Sequence, residues 1–96
     1  MECLVTYDVN TETPEGERRL RRVAKICEGF GHRVQKSVFE CILTPGDFLR
    51  LHAALSEAIS PAVDSVLVYR LREPFAKHVS RLGVAAAFDQ RSPFVL

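Results

Sequence analysis

The sequence has no apolar run that approaches the roughly 18 residues needed for a membrane-spanning helix, so an integral membrane protein is not expected. No positively charged leader precedes an apolar stretch near Met1, and we therefore expect a cytoplasmic protein that is not exported. With 96 residues, the chain is long enough for one domain with a single hydrophobic core.

Cysteine is scarce and scattered, with only Cys3, Cys27 and Cys41 in the chain. Their odd number and the absence of a Cys-x-x-Cys pair argue against a disulfide framework and against a zinc site. Each lies in an apolar segment, where cysteine behaves as a small hydrophobic residue, so we expect all three to be buried. The sequence also lacks a Gly-rich phosphate loop, a Cys/His cluster and a catalytic triad.

Net charge is only +1, but the charges are segregated along the chain. Residues 17–36 contain seven basic residues against Glu17 and Glu28, a local charge of +5, so the remaining residues together carry −4. The basic residues of this segment are Arg18, Arg19, Arg21, Arg22, Lys25, Arg33 and Lys36. A weaker basic cluster comprises Arg70, Arg72, Lys77 and Arg81. Such segregation produces a local electrostatic field.

Hydrophobic periodicity predicts the first half of the fold. Residues 3–9 are apolar and β-rich, and Thr13 followed by Pro14 is typical of a helix start. The helix is predicted over roughly 15–30, with Gly29 and Gly31 ending it. Its apolar face comprises Leu20, Val23, Ala24, Cys27 and Phe30, and its opposite face comprises Arg18, Arg21, Arg22 and Lys25. We therefore predict a helix that buries one side and presents a basic stripe on the other.

The second half continues with strands and one more helix. Residues 33–43 are strand-like but long for one strand, so a bend or a tight hairpin is expected near Lys36-Ser37. A second helix is predicted to start after Thr44, with His52 inside its apolar sector as a core histidine. Residues 65–71 are apolar on both faces, which favours a central strand that is covered on both sides. Further short strands are candidates around Phe75–Val79 and Phe94–Leu96.

This order of elements predicts an α+β sandwich in which two helices cover one face of a single sheet. With the bend, the order is that of the ferredoxin-like βαββαβ fold, with extra C-terminal strands. The other face of the sheet needs cover, and a second copy of the chain is the simplest source. We therefore expect a homodimer of a single domain, 1–96, in which the tail of about 73–96 packs on the partner subunit.

Asp8 is the residue with the clearest potential for chemistry. It ends an apolar strand, where a carboxylate is costly unless it is solvated, paired or metal-bound. One interpretation is a carboxylate that caps the loop over residues 9–14. The other is ligation of Mg²⁺ or Mn²⁺, for which one carboxylate per chain is a weak site unless a twofold axis brings two copies of Asp8 together. The basic stripe is likewise either a solvated face or a phosphate-binding surface.

Three segments together resemble the Cas2 family of CRISPR-associated proteins. They are Val5-Thr6-Tyr7-Asp8-Val9, the run from Arg19 to Lys25 (RLRRVAK), and the run from Arg33 to Cys41 (RVQKSVFEC). The segment from Asp64 to Leu71 (DSVLVYRL) is similar to a later strand of the family. The similarity extends over nearly the whole chain.

The resemblance implies a ferredoxin-like homodimer in which Asp8 of each subunit is the metal ligand and catalytic carboxylate. It implies that Tyr7, Arg22, Arg33 and Phe39 line or shape the site. Members of the family are described as Mg²⁺-dependent endonucleases acting on single-stranded RNA or double-stranded DNA, and as partners of the CRISPR integrase, Cas one, in spacer acquisition. The loop over residues 9–17, which bears Asn10, Glu12, Glu15 and Glu17, lies in a part of the family that varies, and Lys36 fills a position that often differs among relatives. The alignment of Arg22 can slip by one residue.

Three hypotheses follow for the function. The first is a metal-dependent endonuclease centred on paired Asp8, which cleaves DNA or RNA. The second is a non-catalytic DNA-binding adaptor of the integration complex. The third is a small-molecule regulatory domain, because the ferredoxin-like fold hosts many functions. The nucleic-acid contacts expected for the first two involve Arg18, Arg19, Arg21, Arg22, Lys25, Arg33 and Lys36.

Overall fold

A strand-helix-strand-strand-helix-strand order runs through residues 1–83, the part of the chain that this computed structural model describes. The elements are β1 (Glu2–Asp8), α1 (Pro14–Glu28), β2 (Gly31–Gln35), β3 (Val38–Ile42), α2 (Pro45–Ala58) and β4 (Ser65–Arg70), followed by a short 3-10 helix (Phe75–His78). The long strand-like segment is therefore a hairpin, with Lys36 and Ser37 between β2 and β3. The hairpin alternative of the prediction is confirmed.

The four strands form one sheet in the order β2-β3-β1-β4, and every neighbouring pair is antiparallel. The α1 connection joins β1 to β2 with β3 between them, which is the arrangement of the ferredoxin-like fold. The prediction of that α+β fold is confirmed. No helix within residues 1–83 is both long enough and apolar enough to cross a membrane.

The helices begin where the sequence predicts, because each has a threonine cap followed by proline. The Thr13 hydroxyl accepts a hydrogen bond from the Gly16 N–H at 3.0 Å, and the Thr44 hydroxyl accepts one from the Asp47 N–H at 3.0 Å. These bonds satisfy backbone donors that have no partner inside the helix. Helix α1 ends at Glu28, two residues earlier than predicted.

Both helices pack on one face of the sheet. Alternate side chains of β1 (Cys3, Val5 and Tyr7) point toward them and are almost fully buried. The helices bury against these residues the side chains of Val23 and Cys27 from α1 and of Leu51, Leu55 and Ala58 from α2. The core of the chain thus lies between the helices and the β1–β3 pair, and the strand end that carries Asp8 extends from it.

All three cysteines are free and buried, as predicted. Burial raises the pKa of each thiol, to about 11 for Cys27 and about 12 for Cys41. Because the thiolate is the reactive form, buried and protonated thiols are packing groups rather than nucleophiles at neutral pH.

Three predictions about the second half were wrong. Within residues 1–83, strand β4 lies at the edge of the sheet rather than at its centre, with half of the Leu67 and Tyr69 surface exposed. His52 is exposed on α2. It follows the buried Leu51 by one position, and the turn of the helix between neighbouring residues places it outside the buried face. The segment at Phe75 forms a 3-10 helix rather than a strand. The strand predicted at Phe94–Leu96, and most of the tail predicted to pack on a partner, lie outside the described residues.

The face of the sheet away from the helices carries exposed apolar side chains. Ile42 is 72% exposed, and Leu67 and Tyr69 are about half exposed. The segment after β4 covers part of this face: the Phe75 N–H donates to Glu2 Oε1 at 3.0 Å, and Arg81 Nη2 donates to both carboxylate oxygens of Glu40 at 2.6 and 2.7 Å. Burial of Glu40 is compatible with its charge because Arg81 pairs with it.

Gly16 permits the close approach of α1 to the loop after β1. A Cβ atom at this position would lie 2.0 Å from the backbone oxygen of Asn10. We expect Gly16→Ala to lower the melting temperature by at least about 5 °C, although alanine ordinarily favours a helix over glycine. The matched control is Gly46→Ala in the first turn of α2, where the nearest atoms to a Cβ belong to the flexible Arg50 side chain, at 3.5 Å. Thermal unfolding should show the control unchanged or more stable, and equal stability of both variants would contradict the packing argument.

Candidate functional site

Asp8 is the last residue of β1 and is exposed to solvent. Because side chains alternate along a strand, its carboxylate lies on the face of the sheet opposite the helices, with Leu4 and Thr6. Ser65, the first residue of β4, is its register partner. An exposed carboxylate at a strand end is available to a ligand and costs little desolvation, which suits the predicted role of Asp8.

Tyr7 holds the neighbouring hairpin against the end of β1. Its backbone N–H donates to the backbone carbonyl oxygen of Ser37 at 3.1 Å, and its hydroxyl donates to the backbone carbonyl oxygen of Lys36 at 3.4 Å. The β2–β3 turn is therefore fixed beside the residue that precedes Asp8. Lys36 itself is exposed at this turn.

Tyr7, Phe39 and Arg33 form a layered group on the helix-facing side of the sheet. The Tyr7 and Phe39 rings have centroids 6.2 Å apart, and the Arg33 guanidinium carbon lies 5.1 Å from the Phe39 centroid. Arg33 also lies 3.9 Å from Glu28 at the end of α1. Burial raises the pKa of Tyr7, and Arg33 partly opposes this shift. The tyrosine is thus neutral at physiological pH and serves to orient the strand end.

Asp8 and this layered group lie on opposite faces of the sheet. The structure brings Tyr7, Arg33 and Phe39 together, and it places their side chains on the face away from the Asp8 carboxylate. Their contacts hold the end of β1, the strand that carries Asp8, in place. Arg22 lies elsewhere again, on α1, with its guanidinium 3.7 Å from Glu57 of α2.

The basic stripe on α1 comprises Arg18, Arg21, Arg22 and Lys25, all four exposed. Arg18 lies 3.5 Å from Glu15, and both side chains are more than 60% exposed. An exposed ion pair of this kind contributes little to stability and is screened by salt. The stripe therefore remains available for phosphate groups.

Arg19 does not share the exposure of the stripe. Its Nε donates to Asp64 Oδ2 at 2.8 Å and its Nη2 donates to Asp64 Oδ1 at 3.4 Å. The Asp64 side chain is completely buried, and the Arg19 side chain is 23% exposed. The Arg19 guanidinium and the N–H groups of Ser60 and Asn10 lower the pKa of Asp64 to about 2, against the opposing effect of burial.

A family model described as CRISPR associated protein Cas2 matches residues 1–78. A protein from Moorella thermoacetica named CRISPR-associated endoribonuclease Cas2 1 is 48% identical over 96 residues, which is the full length of both chains. One from Halalkalibacterium halodurans named CRISPR-associated endonuclease Cas2 is 39% identical over 99% of each chain. The chain belongs to the Cas2 family.

A solved structure of Cas2 from Streptococcus pyogenes agrees with this assignment. It covers 86% of this chain and 100% of its own, with a TM-score of 0.78 and 49% sequence identity. The Cas2 resemblance inferred from the Tyr7-Asp8 strand end and the Arg33–Cys41 block is therefore confirmed.

One chain does not provide a complete metal site within residues 1–83, where no group of three or more His, Cys, Asp or Glu side chains could hold an ion. The Asp8 carboxylate is nevertheless the hard oxygen donor that Mg²⁺ and Mn²⁺ prefer, and its exposure leaves room for bound water. The donor chemistry of Asp8 thus fits a divalent ion, for which one carboxylate alone is a weak site.

Asp64 was not among the residues predicted to matter. Its partners Asn10 and Arg19 are more than 40 residues away along the chain, and no local pattern connects them. Two weak signals were available: its position immediately before an apolar strand, which is also an ordinary position for a loop carboxylate, and its place at the start of the segment that is similar to a later strand of the family. Glu40, which binds Arg81, was missed for the same reason.

Proposed function

We propose that two copies of this Cas2-family chain form a dimer that hydrolyses phosphodiester bonds in nucleic acid, with Asp8 of each copy at the reaction centre. The observation that carries the proposal is the exposed Asp8 carboxylate at the end of β1, on the same face as exposed apolar side chains. A second copy packed on that face covers apolar surface and brings a second Asp8 to the same interface. The relatives' names, endoribonuclease and endonuclease, support this reaction class.

The residues of this chain divide the work in a simple way. Asp8 from each subunit would hold Mg²⁺ or Mn²⁺, which when bound lowers the pKa of a water and neutralises phosphoryl charge. The basic stripe on α1 binds the phosphate backbone and orients the strand. Tyr7 fixes the β2–β3 turn beside Asp8 and so holds the reacting geometry.

The cellular role we propose is spacer acquisition, in complex with the CRISPR integrase. The support for this part is family membership together with a broad basic surface suited to holding duplex DNA. A second candidate function, a non-catalytic DNA-binding adaptor of the integration complex, is favoured by one observation: the end of β1 offers one exposed carboxylate, Asp8, whereas the basic stripe has four exposed cations. Both candidates use the stripe, and only the first requires Asp8.

A cleavage panel separates the two functions. Purified protein is incubated with single-stranded RNA or double-stranded DNA in Mg²⁺, Mn²⁺ or chelator. We expect cleavage of at least one substrate with a divalent ion and none with chelator. Binding of both nucleic acids without any cleavage would contradict the nuclease and favour the adaptor.

A further inference from the structure

The Asp64 carboxylate joins three separate segments of the chain. Its Oδ1 accepts from the Asn10 N–H at 3.0 Å, and its Oδ2 accepts from the Ser60 N–H at 2.8 Å. Both oxygens also accept hydrogen bonds from the guanidinium of Arg19 on α1. The loop after β1, helix α1 and the loop before β4 are thus tied to one buried charge.

These three segments surround the end of β1. Asn10 follows Asp8 by two residues, and Ser65, the neighbour of Asp64, is the register partner of Asp8. The backbone that carries Asp8 is therefore held by the β4 pairing at Asp8 and, two residues further along the chain, by the bond from Asn10 to Asp64. Both restraints depend on where Asp64 lies.

The loop after Asp8 is also confined from the side of α1. Gly16 packs so closely that a Cβ there would overlap the Asn10 oxygen, and the Asn10 side chain accepts a hydrogen bond from the Glu12 N–H at 3.0 Å. The buried Arg19–Asp64 pair keeps α1 in this position. Because charge-assisted hydrogen bonds are strong and directional, the pair fixes geometry as well as contributing to stability.

We propose that Asp64 and Arg19 are positioning residues for Asp8, so that their loss misplaces the Asp8 carboxylate without removing any group that touches nucleic acid. The catalytic part of this inference rests on the proposed nuclease function. A displacement of about 1 Å at a reacting group can reduce a rate by about 100-fold, so a small shift of this loop is sufficient.

The test compares Asp64→Asn, Arg19→Gln and the double variant that carries both changes. Arg19→Gln leaves the buried Asp64 carboxylate without its partner, and Asp64→Asn leaves the partly buried Arg19 guanidinium without its partner, so we expect a lower melting temperature for each. The double variant removes both charges and should recover part of the loss. The matched control is Asp47→Asn, which breaks the exposed Arg50–Asp47 pair on α2, where Nη2 and Oδ1 lie 2.6 Å apart.

Cleavage is measured at a temperature at which every variant is folded, together with nucleic-acid binding in chelator. We expect the double variant to cleave at least about 10-fold more slowly than the wild type while its Kd stays within about twofold. A double variant that recovers cleavage together with its melting temperature would reduce the pair to a stability role and overturn the proposal. If Asp64→Asn fails to fold, the double variant and the milder Arg19→Lys carry the comparison.

Amide hydrogen exchange gives a readout that is independent of catalysis. We expect the Asn10 N–H to exchange at least about 10-fold faster in the double variant, with the amides of the β2–β3 hairpin unchanged. Equal exchange rates of the Asn10 N–H in the wild type and the double variant would overturn the positioning role. A wild type that shows no cleavage dependent on Asp8 instead contradicts the proposed nuclease, and the exchange rates then decide the structural part of the inference alone.

Discussion

Asp8→Ala is expected to reduce divalent-ion-dependent cleavage by at least about 100-fold, because it removes the carboxylate on which the proposed reaction centre depends. Folding should be almost unaffected, since Asp8 is exposed at the end of β1 and its backbone pairing with Ser65 does not require the side chain. We expect the melting temperature and the Kd for nucleic acid in chelator to match those of the wild type. Initial rates over a series of Mg²⁺ and Mn²⁺ concentrations provide the measurement.

The control for this change is again Asp47→Asn, which neutralises a carboxylate on α2 and should leave cleavage at the wild-type rate. Cleavage by Asp8→Ala at an unchanged rate, in a preparation free of contaminating nuclease, would contradict the role of Asp8. Spacer acquisition in cells by the same variant then separates the two candidate functions: an adaptor tolerates the change, whereas an essential nuclease does not.

Reversing three charges of the basic stripe should have the largest effect on binding. The variant Arg18→Glu, Arg21→Glu and Arg22→Glu is expected to weaken nucleic-acid affinity by at least about 100-fold at moderate salt, because phosphate contacts supply most of the non-specific binding free energy. The negative slope of the logarithm of the binding constant against the logarithm of the salt concentration should become shallower by about 2–3, because three phosphate contacts are lost. All three side chains are exposed, so the fold should persist. A salt titration of fluorescence anisotropy measures both quantities.

The second basic cluster provides the matched control. Reversing Arg70, Arg72 and Lys77, which are also exposed, changes the net charge by the same amount at another place on the surface. We expect a much smaller loss of affinity and a nearly unchanged salt slope. An equal loss in the two triple variants would mean that overall charge, rather than the α1 stripe, governs binding.

Local patterns predicted the parts of this fold that depend on local physics. The threonine caps, the proline starts and the apolar periodicity located both helices, and the length of the 33–43 segment indicated the hairpin. The central position predicted for β4 was wrong for the described part of the sheet, because an apolar strand that is covered on both faces and an apolar strand at the edge of a sheet have the same composition. The prediction that His52 is a core residue was wrong for a related reason, since a shift of one position along a helix decides whether a side chain is buried or exposed.

The residues of the candidate site likewise differ in whether local sequence patterns could predict them. Asp8 could be singled out because a carboxylate at the end of an apolar strand is unusual, and the basic stripe follows from helical periodicity. The Arg19–Asp64 pair could not be predicted, because its residues are 45 positions apart and only the folded chain brings them together. The sequence also grouped Arg19 with the phosphate-binding arginines, whereas in the structure its guanidinium binds Asp64.

Subunit mixing tests the central proposal, that one reaction centre requires Asp8 from two copies of the chain. Wild-type and Asp8→Ala subunits are unfolded together in varied ratios, refolded so that they pair at random, and assayed for cleavage. If both carboxylates are required, activity follows the square of the wild-type fraction, and an equal mixture retains about one quarter of the wild-type rate. A linear decline, with about half of the rate in the equal mixture, would contradict the shared site and assign each Asp8 a separate centre.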